Sequence, residues 1–157
     1  MVLDSGKRRK FESGAVRDCA EGKGRCDLLP LGVVGHLIES NTITWVNDYM
    51  VSGDMASLIA ALRSFSRERD WSIYDMLLEV SIHYEEGATK YSERNWEQGI
   101  PLHCYIDSAV RHYLKFLRGD MDERHDRAFV WNILGAIWTQ TYKPEMIDLP
   151  FKESENE

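Results

Sequence analysis

The sequence predicts an all-α fold, most simply an antiparallel helical bundle, on three observations. Every long segment has a helical period, no sustained alternating run occurs, and no internal repeat is visible. The 157 residues, 43% of them hydrophobic, can fill one core and are too few for two full domains.

Residues 1–26 set Gly6, Gly14, Gly22 and Gly24 among charges with no apolar period, which predicts an irregular or extended arm. A single helical domain follows over 27–143. From Asp27, the run LLPLGVVGHLIES carries Pro30 near its start and predicts a short helix. Residues 41–53 suit a strand or a short helix about equally, and the weaker preference is for helix. Asp54 is the expected N-cap of a helix on which Leu58, Leu62 and Phe65 share a face. The next helix should run from Trp71 or Ser72 to about Glu93, before Asn95, Gly99 and Pro101. Pro101 opens another, closed by Gly119. Residues 120–141 form the last long helix, stopped by Pro144, and 144–157 are an acidic tail whose end, KESENE, is expected to fray.

Nineteen Lys and Arg against 26 Asp and Glu give a net charge of −7, which repels a phosphate backbone and argues against a nucleic acid polymer as partner. No apolar stretch approaches the roughly 20 residues of a membrane span, and no signal peptide is expected. Cys19, Cys26 and Cys104 form no C-x-x-C pair and predict three free thiols in a reducing cytoplasm.

Candidate functional residues are polar side chains on faces that the apolar period assigns to the core. Glu85 falls inside the apolar sector of its helix, with Glu79, His83 and Glu86 opposite, so it should be ion-paired with an Arg, protonated or bound to a metal. The last helix is apolar around nearly its whole circumference, and Asp122, His125 and Asn132 form a polar stripe along it. That stripe either faces a cavity, with catalytic or metal-ligating roles, or serves register and capping. Arg111 and His112 flank the core face of the preceding helix, where a guanidinium could grip phosphate. Lys23 and Arg25 lie in the glycine-rich run EGKGR, which lacks the GK[ST] ending of a Walker loop. Lys90, Tyr91, Arg94, Asn95 and Trp96 gather a cation, aromatic faces and an amide suited to a nucleotide.

The blocks VRDCAEGKGRCDLLP, HYEEGATKYSERNWEQGIP and DSAVRHYLKFLRGDMDERHDRAFVWN, in this order and over about half the chain, resemble the phage-associated dATP/dGTP diphosphohydrolases, relatives of the MazG-type all-α pyrophosphohydrolases. The resemblance implies that fold and the metal-dependent cleavage of dATP or dGTP to monophosphate and pyrophosphate. It further implies Mg²⁺ or Mn²⁺ as cofactor, a homo-oligomer with sites between subunits, and the host cytoplasm as location. MazG-type enzymes hold metal with an E-E-x-x-E helix and an E-x-x-D helix. Here Glu85-Glu86 lacks the third Glu, while Glu123 and Asp126 match the second motif. The helical period favours Asp122 and His125 instead, so Glu85, Asp122, His125 and Asp126 all stand as candidate metal ligands, and Glu85, Asp122, His125 and Asn132 as catalytic candidates. Lys23, Arg25, Lys90, Asn95, Trp96, Arg111 and His112 are the substrate-binding candidates. Residues 39–74 look like an insertion relative to shorter members. Two other functions remain open: a nucleotide-binding or sequestering protein without turnover, and a structural or adaptor bundle.

Overall fold

The computed structural model describes residues 5–154. The first four residues of the expected arm and the last three of the expected tail lie outside them.

Seven helices follow a two-stranded hairpin among the described residues: β1 (Arg8–Lys10), β2 (Val16–Asp18), α1 (Leu31–Leu37), α2 (Asn41–Ser52), α3 (Met55–Arg69), α4 (Ile73–Lys90), α5 (Leu102–Arg118), α6 (His125–Tyr142) and α7 (Pro150–Ser154). None of them is long and apolar enough to cross a membrane. The ambiguous segment 41–53 is helical because Ser40 accepts a hydrogen bond from the Ile43 amide and Gly53 closes the helix at φ 73°. Asp54 and Ser72 cap α3 and α4 in the same way, each accepting from an amide of the first turn.

The core is an α5–α6 hairpin against which α3 and α4 pack, with α2 backing α3. Phe65 is its aromatic centre, in contact with Trp71, Tyr113, Phe116 and Phe129 at centroid distances from 4.6 to 6.2 Å. Phe65 comes from the supposed insertion, and so do Ile43, Val46, Leu58 and Ala61, all fully buried. Segment 39–74 is therefore part of the core rather than an appendage.

Three expectations need correction. The arm is extended but not irregular throughout: Arg8 pairs with Asp18, Arg9 with Arg17 and Lys10 with Val16 across a short antiparallel ladder. Tertiary contact supplies what the local sequence lacks, since the Asn95 side chain accepts from the Val16 amide at 2.8 Å and donates to its carbonyl at 2.7 Å. The KESENE run is not frayed at its start, since α7 extends to Ser154, anchored by buried Leu149 and Phe151, with Phe151 meeting the Tyr49 ring edge-on. The last long helix begins at His125, so Asp122 lies in the preceding turn and not on the helix.

Candidate active site

A cleft of about 470 Å³ opens between the N-terminal hairpin and helices α4, α5 and α6. Its wall is strongly cationic: Arg9, Arg17, Lys23, Arg111 and Lys115 line it, against the carboxylates of Asp18 and Glu123. Arg17 is held on several sides. Its Nη2 donates to Ser108 Oγ at 3.0 Å and Asn132 Oδ1 at 3.1 Å, and its guanidinium lies 5.5 Å from the ring centres of both Tyr105 and Trp131. Burial pulls its pKa below the ordinary arginine value. Arg9 Nε, Arg17 Nη1 and Arg111 Nε are buried without a hydrogen-bond partner. A buried donor left unpaired costs about 1–3 kcal/mol, so three of them around one cleft mark a place for an anionic ligand.

At one end of the cleft, His112 from α5 meets His125, the first residue of α6, with their Nδ1 atoms 2.9 Å apart. His125 Nε2 also bonds Asp122 Oδ1 at 2.7 Å, and its side chain is 1% exposed against 50% for Asp122. Burial pushes His112 well below the ordinary histidine range, reinforced by His125, and pushes the Glu123 carboxyl up. Ligand atoms of His112, Glu123 and His125 all lie within 4.8 Å of one another, as do those of Asp120, Asp122 and His125, so either group has the spacing to hold a metal ion.

A second cleft, of about 440 Å³, is lined by Tyr84, Tyr91, Trp96 and Trp131 together with Glu85, Arg94 and Asn95. It shares Tyr91 and Trp131 with the cationic cleft. One cleft thus offers aromatic faces and the other positive charge, side by side.

The structure gathers Lys23, Arg111, His112, His125 and Asn132, or their contacts, at the cationic cleft. It separates the others. Glu85 is exposed, not buried, and lines the aromatic cleft; it belongs to neither carboxylate–histidine group. The apolar side chains of α4 do not mark its buried face, since Tyr74, Leu77, Leu78 and Ile82 are exposed. The inward face instead carries Glu79, paired with Arg124 and Arg127, and His83, which burial and then Arg17 push down to about 4.

Asp126 is turned away from the histidines. Burial disfavours its charge, but bidentate bonds from Arg124 and a 2.9 Å bond from Arg69 outweigh this and hold it below the usual carboxylate range. The E-x-x-D match is therefore divided, with Glu123 facing the cleft and Asp126 closing an arginine cluster. Arg25 is committed to Asp27 by a fork of two bonds at 2.7 and 2.8 Å. Asn95 spends its amide on Val16, Trp96 lines the aromatic cleft, and Lys90 stands 5.2 Å from the Tyr91 ring at the edge of the hairpin.

Sequence reasoning missed Arg9, Arg17, His83 and Lys115. Only Lys115 had a usable signal, lying one turn beyond Arg111 and His112 on α5.

A family model described as dATP/dGTP diphosphohydrolase, N-terminal, matches residues 68–148. That span contains α4, α5, α6 and the histidine pair, while the hairpin bearing Arg9 and Arg17 and the turn after it that bears Lys23 lie outside it. No curated protein and no solved structure matches the chain.

Proposed function

The chain belongs to the dATP/dGTP diphosphohydrolase family, over the N-terminal region that this family describes, and from that premise we propose that it hydrolyses dATP or dGTP to the deoxynucleoside monophosphate and pyrophosphate. The observation that carries the reading is the cationic cleft, whose three buried guanidinium donors lack partners. A triphosphate would supply acceptors for all of them. Arg17 and Arg111 are held in place by the protein, Arg17 by Ser108 and Asn132 and Arg111 by Asp107 at 2.7 Å, so their free nitrogens are already oriented for phosphate oxygens. Lys23 and Lys115 add charge at the same wall. The purine would lie in the adjoining aromatic cleft, on the faces of Tyr91, Trp96 and Trp131.

Mg²⁺ or Mn²⁺, when bound, would polarise the scissile phosphoryl group and favour attack by water. The carboxylate–histidine groups at the end of the cleft have the spacing for a divalent ion, and their imidazoles suit Mn²⁺ better than Mg²⁺. In the reaction, water adds its oxygen to the α-phosphorus and the bond to the bridging oxygen breaks, releasing pyrophosphate. Chromatography of the products tests this: dAMP or dGMP with pyrophosphate is expected, orthophosphate with a diphosphate would place the attack elsewhere, and no product would leave a nucleotide-binding protein without turnover. The three free thiols suit the cytoplasm as the place of action.

We propose also that the chain forms a homo-oligomer through α4. Ile73, Tyr74, Leu77, Leu78 and Ile82 form an apolar stripe at helical spacing, between 38% and 79% exposed. Leu78→Asp should reduce the sedimentation mass to that of one chain while helicity is kept; an unchanged assembly would move the interface elsewhere.

A further inference from the structure

Resting on the reading of this cleft as a metal-dependent nucleotide site, we propose that His112, His125 and Glu123 form a transition-metal site, and that Asp122 is not a ligand but the partner that aims His125.

The tautomer comes first. Asp122 Oδ1 accepts from His125 Nε2–H at 2.7 Å, so the lone pair of the neutral ring lies on Nδ1. That atom faces His112 Nδ1 at 2.9 Å. Ligand atoms about 2.1 Å from a shared ion stand roughly 3 Å apart, so the two nitrogens are near the spacing a metal requires. Glu123 brings a carboxylate oxygen to within 4.8 Å of a ring nitrogen of each histidine. A carboxylate behind a histidine, with the opposite ring nitrogen turned to the ion, is the usual outer-shell arrangement of a metal ligand.

The competing group of Asp120, Asp122 and His125 is weaker on two counts. Arg118 Nε already bonds Asp120 Oδ1 at 2.7 Å, and Asp122 is half-exposed. Both groups also draw on His125, whose single lone pair can serve only one of them.

Ligand type then decides the ion. Mg²⁺ takes oxygen ligands and keeps its waters, whereas imidazole nitrogen favours the later divalent ions of the first transition row and is accepted by Mn²⁺. Two neutral imidazoles and one carboxylate would also leave a bound divalent ion with a charge of about +1, matching the cationic wall beside it.

Pulsed electron paramagnetic resonance of Mn²⁺ bound to the full chain, without nucleotide, tests the assignment. Nitrogen modulation is expected, is reduced by His112→Gln and by His125→Gln, and persists when Mg²⁺ is present in about tenfold excess. Asp122→Asn should keep the nitrogen signal while weakening Mn²⁺ about 10–100-fold. Glu123→Gln should weaken binding without removing nitrogen. Mn²⁺ without nitrogen modulation in the wild-type protein, or its displacement by equimolar Mg²⁺, would overturn the assignment, and melting curves of each variant separate ligand loss from unfolding. Turnover of dATP or dGTP alongside nitrogen-free Mn²⁺ would sink this site and keep the proposed reaction. Nitrogen-ligated Mn²⁺ without turnover would do the reverse.

Discussion

Arg17 joins the hairpin to the bundle, because it leaves β2 and ends between Tyr105, Trp131, Ser108 and Asn132. Lysine at this position keeps the charge but loses the planar stacking and the fork of donors. Each hydrogen bond to a charged group contributes about 1.5–3 kcal/mol, so Arg17→Lys should raise the nucleotide KM about ten- to a hundredfold. Asn132→Ala should act in the same direction, since its amide oxygen holds Arg17 while its nitrogen donates to the Ala128 carbonyl at 2.8 Å. Its Mn²⁺ affinity should stay at the wild-type value by calorimetric titration. A loss of metal binding there would mean that Asn132 faces the ion instead. His125 and Asn132 could be singled out in the sequence as a polar stripe on an otherwise apolar helix, and His112 as a polar flank of the α5 core face. Arg17 could not, since a glycine-spaced run of charges has no period and its partners are 91 and 115 residues away.

At the scale of elements, the α5–α6 contact depends on Gly135. A Cβ there would collide with Tyr105 Cε1 and lie 2.8 Å from Cζ, and Tyr105 is fully buried. Alanine gains up to about 1 kcal/mol of helix propensity over glycine. Overpacking a rigid core costs about 1–3 kcal/mol, and the ring cannot retreat without disturbing the Arg17 guanidinium on its face, so strain should win. Gly135→Ala is expected to lower Tm, by roughly 2–4 °C for each kcal/mol lost in a chain of this size, and to raise the nucleotide KM as well. A higher Tm would show that the two helices can separate freely. The α4 helix teaches a different lesson. Its apolar period was legible and its length nearly so, but a period says only which side chains share a face. It does not say whether that face meets the core of the same chain or lies on its surface, and Glu85 was misplaced for that reason.

Across the whole molecule, the C-terminal segment is tied back to the start of α5. Asp148 accepts from the His103 amide at 2.9 Å and bonds its ring Nδ1. The hydrogen bond to Asp148, with a smaller one to Cys104, raises His103 to about 10, and Asp148 is held down by His103 against the opposing effect of burial. Because the folded histidine titrates above its ordinary value of 6.5, its contribution is complete below about pH 6.5 and fades as pH rises towards about 10. The carboxylate's contribution is complete above its ordinary value of 3.8 and fades as pH falls through its lower folded value. Thermal melts should therefore show a stability loss between pH 6.5 and 10 that His103→Gln and Asp148→Asn both flatten. The effect should be small, because the side chains are 29% and 39% exposed and solvent screens them. An unchanged slope in both variants would detach the segment from the pH response.

What the sequence determined by itself was everything that depends on near neighbours along the chain. The helical class, the cap at Asp54, the start of α4 near Ser72, the stop at Gly119, and the polar positions His125 and Asn132 follow from spacing and local hydrogen bonding. Tertiary structure decided the rest. The hairpin exists because Asn95 bonds Val16 from 79 residues away, and Asp126 is turned to an arginine cluster in which Arg69, 57 residues earlier, joins the neighbouring Arg124. The cationic cleft is likewise assembled on a chain of net charge −7, by bringing Arg9, Arg17 and Lys23 of the N-terminal region against Arg111 and Lys115 of α5. Charge and hydrogen-bond partnership act through space, so folding, and not the order of residues, determines which charges remain available to a ligand.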